Sequence, residues 1–425
     1  MLNSTRMAIA GNLQGRVFYG WVMVLVAGLG MFASGPGQSH TFSVFNQLIA
    51  QDLGISLTRV SGAYGIGTVV AAFLLPLMGA QVDRLGPRKS LMFIVMALGA
   101  ACLFFGAVAN MLWLVVGFAM LRFLGQGSMM LGSANLVAQW FTTKRGFAMS
   151  LMVLGFGLSI AVHPKLGQYL IDAYGWRTAW VILGFMTWAM MLPVLILVVF
   201  DRPSVLDLHP DGVAAEGDQT TEEVTGPDLS GALRHSSFYI LCAAFFAVSS
   251  LQTALHYHQI NIMVAQGVSE GMATNGFVIT SIAMVCLMPL VGRVCDRYKT
   301  RYVFAVGLIV QAIALIAVTF ATSATSMVVY AIIFGLNNAI TMTLYGYGWP
   351  RYFGRKHLGK IQGTGQMVAV IGASLGPTPI AWAFDTSGDP TTMIWWLAAY
   401  PLAVTVVVLL FLKTHPDVKG TEHLE

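Results

Sequence analysis

"GAQVDRLGPRK" (residues 79–89) returns later in the chain as "GRVCDRYKTRY" (292–302), so that Gly79 is answered by Gly292, Asp83 by Asp296, Arg84 by Arg297 and Arg88 by Arg301. Each copy closes a long apolar run and opens the next. A charged loop that recurs at the same spacing about half a chain apart is the mark of a duplicated unit, here one made of apolar helices.

The runs themselves are read near 17–48, 58–80, 90–109, 111–137, 146–170, 177–200, 236–264, 272–293, 301–320, 325–351, 360–384 and 391–413. A helix needs about 20 mostly apolar residues to cross a hydrocarbon layer of about 30 Å, and these runs meet that length. Composition agrees: 56% of the 425 residues are hydrophobic and 10% charged, against about a quarter charged in soluble chains. The expected fold is all-α and integral to the membrane, with twelve transmembrane helices in two pseudo-symmetric six-helix bundles. The bundles are expected at 1–200 and 235–425. Between them, 201–234 is acidic and rich in Gly and Pro, and reads as a flexible cytoplasmic linker loop. The first run is too long for a cleavable leader and is expected to stay. Four cysteines without ligand spacing indicate neither a metal site nor a disulfide framework.

Charge fixes the expected orientation. With the N-terminus in the cytoplasm, all but four of the 23 Lys and Arg fall at cytoplasmic helix ends, which also puts the C-terminus inside. Arg59 and Arg177 fall on the other face; Arg122 and Lys165 lie within spans. None of the 18 carboxylates falls within a span. The net charge of +5 thus belongs to topology and indicates no nucleic-acid partner. A cation at bilayer depth costs about 2.5 kcal/mol or more and normally faces a bundle interior or an aqueous cavity. With no acid in the spans to answer it, an anionic ligand is the expected partner.

Lys165 stands in "SIAVHPKLGQYL" (159–170), two residues after His163. The two lie about 200° apart on an ideal helix, and Pro164 between them is a place for a kink that brings them together. Snorkelling of Lys165 to the surface is the alternative. In the seventh span Gln252, His256 and Gln259 share a helical face, and in the tenth Asn338, Thr341 and Tyr345 do. Such faces belong against protein or water rather than lipid, lining a path or bonding helix to helix. His40, His163, His256 and His258 are the candidate proton carriers, since imidazole titrates near pH 6.5. No nucleotide loop, metal cluster or nucleophile–base set is present, so no enzyme and no cofactor is expected.

The loop "GAQVDRLGPRK", through Gly79, Asp83, Arg84, Gly86 and Arg88, resembles the signature of the major facilitator superfamily, over essentially the whole chain. Within it, "FYGWVMV" (18–24), "FSVFNQLIAQDLGIS" (42–56) and "YLIDAYGWRTAWVILG" (169–184) are similar to the bacterial monocarboxylate transporters and oxalate/formate exchangers. The resemblance implies two bundles rocking about a central site, a functional monomer in the inner cell membrane, and a small organic anion as cargo. Gly79, Asp83, Arg84, Arg88, Asp296 and Arg297 would form a cytoplasmic gate, with Gly79 admitting a close helix approach. Proton symport is the implied coupling and anion exchange the alternative; multidrug export is less expected, because cationic drugs call for a buried acid. Arg122, in "LRFLGQGSMMLG" (121–132), resembles the superfamily's fourth-span arginine, which implies structural or proton-coupling contacts before direct substrate contact. One departure stands out. The eighth span, "MATNGFVITSIAMVCLMPLVG" (272–292), lacks the arginine that carboxylate carriers of this group often place there. Lys165, His163, His256, Gln259, Asn338, Tyr345 and Arg122 are therefore the candidate substrate contacts.

Overall fold

The computed structural model describes residues 7, 11, 18–141, 144–212, 226–354 and 358–418. The side chains of residues 83, 145, 296, 347, 358 and 359 lie outside that description, and with them the expected gate roles of Asp83 and Asp296. Among the described residues the elements are helical, with no strand. Among the described residues, eleven helices are long and apolar enough to cross a membrane. The first expected span is the exception, because it is broken. Helix Gly20–Ala33 gives way to a 3-10 turn at Gly35–Gly37, then to short helices at Ser39–Phe42 and Asn46–Leu53. Pro36 supplies no N–H for an α-helical ladder, and the glycines flanking it tolerate the bend.

Contacts divide the chain into two compact units, 1–49 with 66–218 and 50–65 with 219–425. In the first unit, Gly20–Ala33 packs along Arg145–Tyr174, and Pro87–Gly106 along Trp176–Leu197. These are pairings of the first span with the fifth and the third with the sixth. In the second unit, Ser236–Ala265 packs along Leu358–Leu375, and Thr300–Val318 along Thr391–Phe411. Those pair the seventh span with the eleventh and the ninth with the twelfth, the same pattern displaced by six spans. The repeat read from two loops is thus a repeat of packing.

Small residues set the closest crossings, as expected where lipid offers no hydrophobic drive to association. A Cβ on Gly155 would collide with the carbonyl of Gly28, and one on Gly376 with that of Ser250. Gly79 behaves otherwise. The nearest atom to a Cβ there would be Leu131 Cδ2 at 3.9 Å, an ordinary contact, so the close helix approach expected of Gly79 is not made in this structure.

Residues 50–65 join the second unit through the start of helix Leu57–Leu85. The Asp385 carboxylate accepts from the Leu57 and Thr58 amides at 3.0 and 2.7 Å and from Thr58 Oγ1. This supplies acceptors for the helix's first N–H groups and places a negative charge at the positive end of its dipole. The described ends of 201–234 are folded rather than free. They form 3-10 turns at Pro203–Leu206 and Pro210–Gly212 and a helix at Leu229–Arg234. Asp201 accepts from Arg88 N at 2.8 Å and Asp211 from Lys144 N at 3.0 Å, both at helix starts. The acids that suggested a solvated linker are, at these two points, helix caps.

Candidate functional site

In the first unit the polar residues gather where the first span breaks. Breaking a helix frees carbonyls that lipid cannot satisfy, so neighbouring donors must. Thr41 Oγ1 donates to Gly35 O at 2.6 Å, and Arg122 Nη1 donates to Gly37 O at 2.9 Å. Arg122 Nε donates to Thr68 Oγ1 at 3.1 Å. Arg122 as a whole is 2% exposed. Gln38 Nε2 donates to Ser34 Oγ at 3.0 Å beside it in sequence.

Arg122 also opens the π-helix Arg122–Met129 in the fourth span. The wider turn fits against the broken span: a Cβ on Gly37 would lie 2.7 Å from Gly125 Cα, and the reverse holds. Glycine is required at both positions because backbone meets backbone. Single π-helical turns inside α-helices recur at functional sites. A π-turn, a helix break and a buried cation coincide here.

A second buried chain runs beside the first. His40 Nε2 lies 3.1 Å from Ser159 Oγ, which lies 3.1 Å from His163 Nδ1. His163 is seated on Gly35, with the Phe32 ring 4.8 Å away. Helix Arg145–Tyr174 continues through Pro164, so the expected joining of His163 and Lys165 does not occur. His163 is buried against the first span; Lys165 is exposed, on the face that carries exposed Leu158 and Tyr169.

The second unit brings together two of the expected faces. Gln252 Nε2 donates to Asn338 Oδ1 at 2.6 Å, and Asn338 Nδ2 donates to Phe334 O at 2.7 Å. Tyr330 OH donates to Gln259 Oε1 at 3.0 Å. His256 lies between rings, 4.7 Å from Phe334 and 6.3 Å from Phe277. His258 faces away from that set, with Nε2 2.9 Å from the Pro377 carbonyl. Tyr345 stacks on Phe245 at 4.8 Å, two turns along from Asn338.

The repeated loops diverge in use. Arg88 binds helix ends within its own unit, donating from Nε and Nη2 to the Leu195 and Ile196 carbonyls at 3.0 and 3.2 Å. Gly86, at φ 79°, permits the turn that brings Asp201 to the Arg88 amide. Arg84 and Arg297 are exposed.

Sequence reading missed Gln38, Thr68, Ser159, Tyr330 and Asp201. Ser159 stands one turn before His163 on the same face, and Tyr330 lies two turns before Asn338 on its face; both were within reach of helical spacing. Thr68 and Asp201 carry no such mark, since only tertiary packing brings them to Arg122 and Arg88.

The profile of the Major Facilitator Superfamily matches residues 21–261 and 257–425. The chain is 27% identical to the oxalate:formate antiporter of Oxalobacter formigenes, over 71% of this chain and 70% of the antiporter. It is 24% identical to monocarboxylate transporter 13 of Rattus norvegicus, over 92% of this chain and 88% of that one. In fold it is similar to a bacterial homolog of the human lysosomal transporter Spinster, with a TM-score of 0.63 and 17% identity over 93% of this chain and 95% of the other.

Proposed function

Because the chain belongs to the Major Facilitator Superfamily, and is a multi-pass membrane transport protein rather than an enzyme, we propose that it is a secondary active transporter of a small organic anion, a monocarboxylate first among them. The observation that carries this reading is the sign of the buried charge. Among the described residues Arg122 is buried, and no aspartate or glutamate is. A site whose fixed buried charge is positive favours an anion and disfavours a cation. The names of the relatives, oxalate, formate and monocarboxylate carriers, support the same class.

In this reading the units at 1–200 and 235–425, joined by 201–234, alternate access to the site. Arg122 supplies the buried positive potential, and exposed Lys165 meets the anion as it arrives. His163, His256, Gln259, Asn338 and Tyr345 supply neutral hydrogen-bonding and ring surfaces. Coupling is to protons, carried by His40, His163, His256 or His258; the His40–Ser159–His163 chain favours the first two. Gly79, Asp83, Arg84, Arg88, Asp296 and Arg297 act at the cytoplasmic gate. The protein works as a monomer in the inner cell membrane, with both termini in the cytoplasm.

Exchange of one anion for another is the second reading. It is favoured by the antiporter relative and by the absence of a buried carboxylate among the described residues. Uptake of a carboxylate panel into proteoliposomes separates the two. Accumulation driven by a proton gradient into empty vesicles is the expected result; uptake that requires a loaded counter-anion establishes exchange. Transport confined to neutral or cationic solutes overturns both.

A further inference from the structure

A cleft of about 330 Å³ opens in the second unit between helices Glu270–Arg297, Thr300–Val318 and Ala324–Phe353. Leu290 and Val294 form one wall, Tyr302 and Val306 another, and Leu336 the back, with Tyr298 at the mouth. The walls present only apolar surface. Leu290, Tyr298, Tyr302 and Val306 are 45 to 55% exposed, so the cleft opens sideways rather than into a closed core. A hydrophilic anion would find no donor here. A hydrocarbon chain would lose nothing on entering.

The mouth is different. The sequence about Tyr298 and Tyr302 carries Arg293, Arg297, Lys299 and Arg301, against the single acid Asp296. Arg297 and Lys299 are exposed. The Arg301 guanidinium lies over the Tyr302 ring, 5.0 Å from its centre, with Nη2 3.3 Å from the Tyr302 hydroxyl. Its Nε is buried and makes no hydrogen bond among the described residues. The repeat sharpens the point. Arg88, at the equivalent position, is occupied with two carbonyls of its own unit, whereas Arg301 stays beside the mouth.

We propose that this cleft is a site for an anionic phospholipid, one acyl chain lying against Leu290, Val306 and Leu336 and the phosphate held by Lys299 and Arg301, with Arg297 adding to the field. Apolar depth combined with a basic rim at a helix end is the pattern by which membrane proteins select charged headgroups. The tyrosines suit the boundary layer, since their rings are apolar and their hydroxyls polar. The site is separate from the buried polar clusters, and it requires only that the chain spans a bilayer.

Native mass spectrometry of the delipidated full-length protein tests it, with phosphatidylglycerol, phosphatidylcholine of identical chains, and free oleate offered separately. The wild type should retain one phosphatidylglycerol about tenfold more readily than phosphatidylcholine. The K299Q/R301Q double variant should lose that preference while keeping the weak retention common to both lipids. V306W, which fills the cleft, should lose retention of both; L290W on the open edge serves in its place if V306W fails to fold by thermal melting. Equal retention of the two phospholipids by the wild type overturns the proposal. So does undiminished phosphatidylglycerol binding in the double variant or in the filled variant, or oleate bound as well as phosphatidylglycerol.

Discussion

The two units answer the same membrane differently. The first buries a guanidinium where two helices depart from α-geometry, at Gly35–Gly37 and Arg122–Met129. The second places its amides and phenol on two 30-residue helices, Ser236–Ala265 and Ala324–Phe353, which run without interruption. Among its described residues no Lys, Arg, Asp or Glu is buried. The duplicated ancestry evident in the helix pairings therefore did not keep the chemistry duplicated. One half specialised in charge and irregular backbone, the other in neutral hydrogen bonds and ring faces. Charge requires solvating carbonyls, and a broken helix provides them; amides satisfy one another and leave the helix whole.

Four tests set this contrast at risk. The largest effect is expected at Arg122. Arg122→Gln keeps polarity and removes the charge, and should lower uptake in proteoliposomes by about 100-fold or more, in line with loss of a buried charged interaction. Uptake within threefold of wild type, in protein that elutes as a single species, would end the assignment of the first unit as the charged half.

Next comes the amide pair. Asn338→Ala or Gln252→Ala should raise KM about tenfold and leave kcat nearly unchanged, because a neutral contact contributes binding rather than the driving charge. A double-mutant cycle in thermal or denaturant melts should return a coupling of about 0.5–1.5 kcal/mol, the range found for hydrogen bonds between membrane helices. A coupling near zero would mean that the 2.6 Å contact between them does not persist.

The repeated arginines allow a smaller test. Arg88→Ala should destabilise the protein by about 1–2 kcal/mol, since it strips two carbonyls of a charged donor. Arg301→Ala, measured in detergent without added lipid, should cost less than half as much. Equal losses would show that the two loops brace their units alike.

The smallest effect belongs to Asp389, outside the spans. Thr391 donates to its carboxylate from Oγ1 at 2.6 Å and from N at 2.9 Å. These bonds, the side-chain one foremost, hold its pKa below the ordinary carboxylate value. The ionised form is therefore favoured by folding. Its contribution is complete above the ordinary carboxylate pKa and disappears as pH falls through the lowered one. Asp389→Asn should cost about 0.5 kcal/mol at neutral pH, as an exposed cap does. The cost should vanish in melts at acidic pH; a difference unchanged by pH would point to packing instead.

Much of this was legible in the residues. Run length gave the spans, the loop echo gave the duplication, and helical spacing gave the Gln252 and Asn338 faces that meet in the second unit. Those properties are local, and a helix converts spacing directly into direction. What escaped is tertiary. Pro164 permits a kink without requiring one, and the intact helix leaves His163 and Lys165 on different faces. The role of Arg88 depends on where a helix more than a hundred residues later ends. Nothing in "LRFLGQGSMMLG" marks a π-turn, because that turn is settled by the backbone of Gly37 pressing on Gly125.

That π-turn also sets the reading frame of the fourth span as a mechanical object. A π-turn is equivalent to one residue inserted into an α-helix, and each residue advances the helix by about 100°. Straightening the coil with every residue kept would turn everything from Met130 to Trp140 by roughly that angle relative to Arg122, and buried Ser133 and Trp140 would swing off their present bearings. A gene lacking the codon for Gln126 would avoid that turn, because one residue fewer in a regular α-helix restores the same bearings. What such a deletion would take away is the widened coil itself, and with it the fit of Gly125 against Gly37.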